Sequence, residues 1–438
     1  NAQGPHVHDP RTGEILESDI LWYHNVMNLL RNWFFVQTAA IKPEAQGVKF
    51  KDELMGELIR FVAAHEVGHT LGFPHNMGSS VAYPVDSLRS PTFTATHGTA
   101  PSIMDYARFN YIAQPEDGIT NFYPQLGEYD DWAIWYGYRP IPNVDAPEDE
   151  KETLHNWVLA KADNPLYRYG RQRRDPVDPT AQTEDLGDDS MEASKYGIAN
   201  LKRINDNLSK WAILDGEDYD ELDELYGQIV GQYNRYMGHV TSNVGGVYEY
   251  YKTGDQEGAV YTHASKDKQQ RAIKFLNEQL FATPTWLINK EVLNKVEEAG
   301  MVDRIKALQG RTLNRLVDED RLKRMLENEA LNGSSAYTAN NMFTDLRNGI
   351  YTELSSGRAI DTYRRNLQKA MVEGLGKLYL HEDDDIKTTD IPSMARGHLN
   401  SIKSLARNGA NRQSSEVNKF HLQYLVDRID DILENKGS

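Results

Sequence analysis

The chain has 438 residues, 39% of them hydrophobic, with a formal net charge of −17 and a mean hydropathy of −0.65. That length supports a large core and predicts two domains, and the absence of any apolar run of about 18 residues excludes a membrane-spanning helix. The acid excess argues against nucleic acid as a partner, because phosphate recognition needs a basic face. There is no cysteine, which excludes disulfides, thiolate ligands and a cysteine nucleophile and leaves nitrogen and oxygen to hold any metal.

Along the chain, "DPRTGEIL" (9–16) opens with turn chemistry and closes on a short extended run, the only good strand candidate near the front. The first residues lack the basic start and apolar stretch of a signal peptide, so the chain reads as a fragment whose targeting information lies upstream of Asn1. Ser18 and Asp19 are placed to cap a first helix, with Ile20, Val26, Leu29, Leu30 and Phe34 on one stripe. A second helix is predicted from Asp52, read as its N-cap, to a terminator at Gly72. Residues 73–128 are rich in Pro, Gly, Ser, Thr and Asn without a sustained period, which predicts a long loop of the kind that carries function. "YDDWAIWYGYRPIP" (129–142) reads as a short aromatic helix stopped by glycine and prolines. Residues 146–190 are polar and irregular, a connector, and nearly everything beyond them reads as helix. Stripes of 3.6 period run through Leu222, Leu225, Tyr226, Ile229, Tyr233 and Tyr236, through Tyr363, Leu367, Met371 and Leu375, and through Val417, Phe420, Leu425, Ile429 and Ile432. The expected organisation is a core over 1–145, a connector over 146–190 and an α-helical domain over 191–438.

The stretch "AAHEVGHTLGFPHN" (63–76) gathers His65, His69 and His75. On a helix the first two are four residues apart and project from one face, so two neutral imidazoles reach one divalent ion at about 2.0–2.1 Å each. Glu66 is ill placed to ligate beside both, but it reaches a water on the ion and can take its proton as that water attacks a carbonyl. A third ligand further along the same helix would miss the ion. The chain must therefore turn, and Gly72 reaches φ > 0 at little cost while Pro74 stiffens the return that delivers His75. Three nitrogens with one open position describe a catalytic zinc rather than a closed structural one. A chance match to H-E-x-x-H-x-x-G-x-x-H in a chain of this composition is on the order of one in ten thousand.

"HEVGHTLGFPH" resembles the zinc-binding signature of the metzincin clan of metallopeptidases. "SIMDY" (102–106) is similar to the clan's methionine-containing turn below the metal, which implies that Met104 is a hydrophobic floor under the histidines rather than a ligand. In the astacin and serralysin branches a tyrosine two residues after that methionine approaches the zinc; the resemblance puts Tyr106 there, donating to the developing oxyanion. With "DPRTGEIL" and "DDWAIWYGYRP" added, the chain resembles bacterial metzincin-like proteins whose peptidase core is followed by a long helical region. The resemblance implies a zinc metalloendopeptidase with one zinc ion, a protein or peptide substrate, and a secreted or envelope location. It also implies a mainly α fold: a partial metzincin-like core of few strands, active-site helix and Met-turn, then the helical domain. The clan's sheet normally precedes the active-site helix, and only residues 1–51 do so here. Either the upstream part of the same protein is expected to complete the fold, or this family has reduced the sheet; by position "TGEIL" is the edge strand along which substrate lies antiparallel.

Other clusters have blander readings. "HVH" places His6 and His8 on one side of an extended chain, and its terminal position favours a disordered segment over a metal site. Asp175, Asp178, Glu184, Asp185, Asp188 and Asp189 offer oxygens that would suit Ca2+, with capping of the helix at "SMEASKYG" by Asp188 or Asp189 the simpler reading. His239 is expected in the core or at the surface rather than lining the cleft. Two rival functions stand: a zinc hydrolase of a non-protein amide, and a scaffold that keeps a vestigial zinc site while its helical domain binds a partner. Glu66 argues against the scaffold, since a structural site has no use for a carboxylate at the open position.

Overall fold

The computed structural model describes residues 2–174 and 176–435; Asp175, one of the calcium candidates, lies outside them. The chain is mainly helical, with only short strands among the described residues. Strand β1 (Ala2–Gln3) pairs antiparallel with β4 (Leu21–Trp22), and β2 (His6–His8) with β3 (Ile15–Ser18). Two expectations are corrected here. "HVH" is strand β2 rather than a disordered terminus, and the first helix, α1, spans Val26–Thr38 and does not begin at Ser18 or Asp19. Residues 15–22 are held extended by partners in residues 2–8, and Ile20, Trp22 and Tyr23 are side chains that favour extended backbone. Ile20 is exposed rather than part of the helical stripe.

Helix α2 (Asp52–Thr70) has Lys51, not Asp52, at its N-cap; Asp52 and Glu53 sit in the first turn, where acids complement the helix dipole. Its end is a Schellman turn, with Phe73 N–H donating to Gly68 O at 3.1 Å and Gly72 N–H to His69 O at 2.9 Å. Gly72 has φ = +90°. The region 73–128 is not wholly irregular: α3 (Pro91–His97) forms within it because Ser90 caps Phe93 N–H and Pro91 takes the first helical position. Helices α4 (Glu128–Tyr138), α5 (Lys151–Leu159), α6 (Ser190–Ala212) and α7 (Asp220–Thr241) follow. Asp189 caps α6 through Met191 and Glu192 N–H, and Asp188 accepts from Val85 N–H instead.

The chain divides into two compact units, one of residues up to His239 with 249–260 and 289–296, the other of 240–248, 261–288 and the remainder from Glu297. In the first, α1 lies between α2 and α6. Phe34, fully buried, meets Phe109 edge-on at 4.8 Å and stacks on Tyr123 at 5.4 Å. Burial of one such ring is worth about 1.5–3 kcal/mol. Leu222, Leu225, Tyr226, Ile229, Tyr233 and Tyr236 on α7 are all buried. In the second unit, helix Ile391–Ala410 packs against both Thr362–Tyr379 and Glu416–Glu434. Leu367, Met371, Leu375, Leu425, Ile429 and Ile432 are buried as their spacing predicts, but Val417 and Phe420 face solvent, and the buried face near them is His421 and Leu422. Among the described residues no helix is long and apolar enough to cross a membrane.

Candidate metal centre

The Schellman turn that ends α2 reverses the chain and brings His75 back against the helix face carrying His65 and His69. His75 Nε2 lies 3.0 Å from His69 Nε2 and 3.2 Å from His65 Nε2. Every Nδ1 is engaged elsewhere by an oxygen that can only accept: His65 Nδ1–H donates to Ile103 O at 2.7 Å, His69 Nδ1–H to Phe73 O at 2.8 Å, and His75 Nδ1–H to Gln172 Oε1 at 2.7 Å. A neutral imidazole carries one N–H, so those bonds fix all three rings as Nδ1–H tautomers. Three Nε2 lone pairs therefore face one another with no proton between them, an arrangement that repels itself unless a cation is shared. Tetrahedral donors about 2.0–2.1 Å from one zinc lie about 3.4 Å apart, close to what is seen. Among the described residues His65, His69 and His75 are the converging group suited to hold a metal ion. The donor set fits zinc.

Electrostatics support the neutral state. Burial, helped by Arg108 and the neighbouring imidazoles, depresses the His65 pKa to about 3, and burial also lowers that of His75. Glu66 is buried on the same helix, and burial raises its pKa against the partial offset of His69 and a hydrogen bond from Gly4 N–H. A carboxylate so raised is a better proton acceptor near neutrality. Gly4 is required there, since a β-carbon would overlap Glu66 O and lie 3.1 Å from His69 Cβ.

The turn at Ser102–Asp105 runs beneath the histidines. Asp130, in the first turn of α4, anchors it by accepting from Ser102 Oγ at 2.6 Å and Ile103 N–H at 2.7 Å. That turn supplies Ile103 O to His65 and sets Met104, 1% exposed, against α2 at Gly68, where a β-carbon would overlap Sδ and lie 3.3 Å from Cε. The Tyr106 ring lies 4.4 Å from that of His75 and 5.1 Å from that of His65. Burial raises the Tyr106 pKa, opposed by Arg108.

Several residues at the centre escaped sequence reasoning. Asn76, fully buried, ties three segments together: its N–H donates to Met104 O at 3.1 Å, its Nδ2 to Arg168 O at 2.9 Å, and its Oδ1 accepts from Gly170 N–H at 2.8 Å. Met77 N–H adds a bond to Gly170 O at 2.8 Å. Gly78 and Gly170 cross so closely that a β-carbon on Gly170 would come 2.6 Å from Gly78 Cα. Arg108, buried and with φ = 54°, lies over the Trp33 ring at 3.2 Å and pairs with Glu184 at 2.5 Å, itself at φ = 66°. Left-handed backbone at two non-glycine residues is strain that packing must hold in place. Neither Asn76 nor Gln172 carries a local signal in the sequence, since each acts on a segment distant along the chain.

Other candidates lie apart from the triad. Among the described calcium candidates, Asp178 pairs with Arg168 at 2.7 Å, Glu184 pairs with Arg108 and Arg235, and Asp188 and Asp189 serve backbone N–H groups, while Asp185 is buried with its Oδ1 unbonded. His239 is buried with its Nε2–H on Thr183 O at 2.9 Å. His6 does not join the triad, but its Nδ1 lies 3.1 Å from His69 O.

A profile of the family described as Met-zincin matches residues 47–357, which takes in the triad, the Ser102–Asp105 turn and much of the helical region. No curated protein and no solved structure matches the chain.

Proposed function

Because this chain belongs to the Met-zincin family, a family of the metzincin type of zinc peptidase, we propose that it is a zinc-dependent endopeptidase whose metal is held by His65, His69 and His75. The observation that carries the reading is the set of three unprotonated Nε2 atoms facing one another within 3.0–3.2 Å of His75 while every Nδ1–H is spent on an oxygen. When bound, zinc supplies Lewis acidity, bringing the pKa of a water towards about 7 and polarising the scissile carbonyl. Glu66 takes the proton from the attacking water on its carboxylate and passes it to the leaving amine. Tyr106 donates its O–H to the oxygen on which negative charge develops, a role favoured by its ring lying against His65 and His75. Met104 floors the site as the Met-turn methionine, and Gly72 permits the turn that returns His75. The substrate is a protein or peptide, and we place the enzyme in a secreted or envelope compartment on family resemblance, which fractionation of the producing cells tests.

The decisive experiment pairs metal analysis with digestion of a proteome-derived peptide library. The expected result is one zinc per chain and cleavage that Glu66→Ala abolishes while leaving the zinc in place. Cleavage by Glu66→Ala at the parent rate refutes the assigned base. Zinc without cleavage by the parent chain points to the scaffold, and cleavage of peptidoglycan in place of peptides to the other amide hydrolase.

A further inference from the structure

Two of the three imidazoles are oriented by main-chain oxygens inside their own neighbourhood, Phe73 O from the turn after α2 and Ile103 O from the turn beneath it. The third is different. His75 Nδ1–H donates to a side chain, Gln172 Oε1, that comes from a segment 97 residues further along. That segment is fixed on the metal loop: Asn76 and Arg171 form an antiparallel bridge, Met77 N–H donates to Gly170 O, and the Asn76 amide binds both Arg168 O and Gly170 N–H. These bonds hold the backbone on the N-terminal side of Gln172, whose exposed side chain accepts from His75 Nδ1–H through its amide oxygen at 2.7 Å.

We propose that Gln172 is a positioning residue of the metal centre, setting the tautomer and aim of His75 and thereby the affinity of the three-histidine site for zinc. The inference rests on the zinc reading above. The chemistry is that of an imidazole whose far N–H is held by an oxygen: the bond fixes which nitrogen carries the proton, points the other at the ion and makes it a stronger donor. Without it the His75 ring can rotate or take the other tautomer, and each such state removes one of three ligands. Of the three Nδ1 partners it is the one a substitution can delete, since the other two belong to the backbone. The residues previously read as a connector between domains then supply part of the metal site itself.

The test uses the whole 438-residue chain in the parent form and as Gln172→Leu and Gln172→Glu. Zinc affinity is measured by competition with a chromogenic chelator, and the thermal midpoint is measured on the metal-free forms. Loss of a partner of this kind lowers metal affinity by about 10–100-fold. Expected are a fall of at least tenfold for Gln172→Leu with an unchanged metal-free midpoint, and affinity equal to or above the parent for Gln172→Glu, whose carboxylate accepts the same N–H more strongly. A cobalt-substituted parent and Gln172→Leu should also differ in their visible absorption, because one ligand's geometry changes. Zinc affinity within threefold of the parent in Gln172→Leu overturns the proposal, as does a Gln172→Glu chain that binds no better than Gln172→Leu. A drop in metal-free midpoint matching the loss of affinity assigns Gln172 a structural role and overturns it too. A parent chain that binds no zinc removes the zinc reading itself, so the two failures are distinguishable.

Discussion

Gly68 lies between two of the histidines on α2, and its lack of a side chain is what lets Met104 approach. Alanine in a helix interior is favoured over glycine by about 0.8–1.0 kcal/mol, so Gly68→Ala would stabilise an unobstructed helix. Here the added methyl overlaps Met104 Sδ, and Met104 is 1% exposed, leaving the thioether no open space to move into. Overpacking of this kind costs about 1–3 kcal/mol. The net expectation for Gly68→Ala is a destabilisation of up to about 2 kcal/mol. In a Met104→Ala background the obstruction is gone and the same substitution should stabilise by about 1 kcal/mol, so the two positions couple by about 1–3 kcal/mol. Urea denaturation of the parent, both single variants and the double variant measures this cycle on the metal-free protein. If Gly68→Ala raises stability by about 1 kcal/mol in both backgrounds, the close approach of Met104 to α2 is wrong.

Tyr106→Phe should keep zinc and KM while lowering kcat about 100-fold, the usual loss for one oxyanion donor; steady-state kinetics with an unchanged kcat would remove Tyr106 from the mechanism. Arg364→Met should destabilise the second unit by about 3–5 kcal/mol. Its guanidinium bonds Glu353 at 2.7 Å, Phe281 O at 2.6 Å and Ile350 O at 2.7 Å, and its loss strands a buried carboxylate; denaturation midpoints report the cost. Burial holds His398 near a pKa of about 4 and His421 near about 3, in each case with help from neighbouring cations, so both stay neutral in the fold. The unfolded chain takes up those protons first as pH falls below about 6.5. Their contribution is therefore complete above that pH and is lost as pH falls towards 4, at up to about 1.4 kcal/mol per pH unit for each histidine. The second unit's midpoint, followed from pH 7 to 4, should drop accordingly, and a His398→Gln, His421→Gln chain should show a flatter profile.

The legible parts of this protein are those whose causes lie within a few residues. His65 and His69 share a helix face at a spacing of four, and the third histidine follows a glycine with φ = +90° three residues past the second, so their convergence could be read from the string. The stripes on α7 and on Thr362–Tyr379 obey the helical period and are buried accordingly, apart from Tyr363 at the edge. The front of the chain failed for the opposite reason. Ile20 fits a helical stripe, but residues 15–22 gain strand partners at 2–8 that no periodicity reveals. Ser90 and Pro91 did carry a start signal for α3, masked by the low periodicity around it. Gly68, Asn76 and Gln172 were silent because each acts through contact with a distant segment: Met104, residues 168–170 and His75 respectively.

The staple formed by Asn76 has a consequence for biosynthesis. A nascent chain that has emerged only as far as residue 145 already contains the whole histidine motif and the turn beneath it, yet it lacks Arg168, Gly170 and Gln172, the groups that fasten and aim the last imidazole. Closing so long a loop carries an entropic cost that only the later segment's docking repays. The last imidazole thus gains its side-chain partner, and the loop that carries it its fastening, only once residues 168–172 are present.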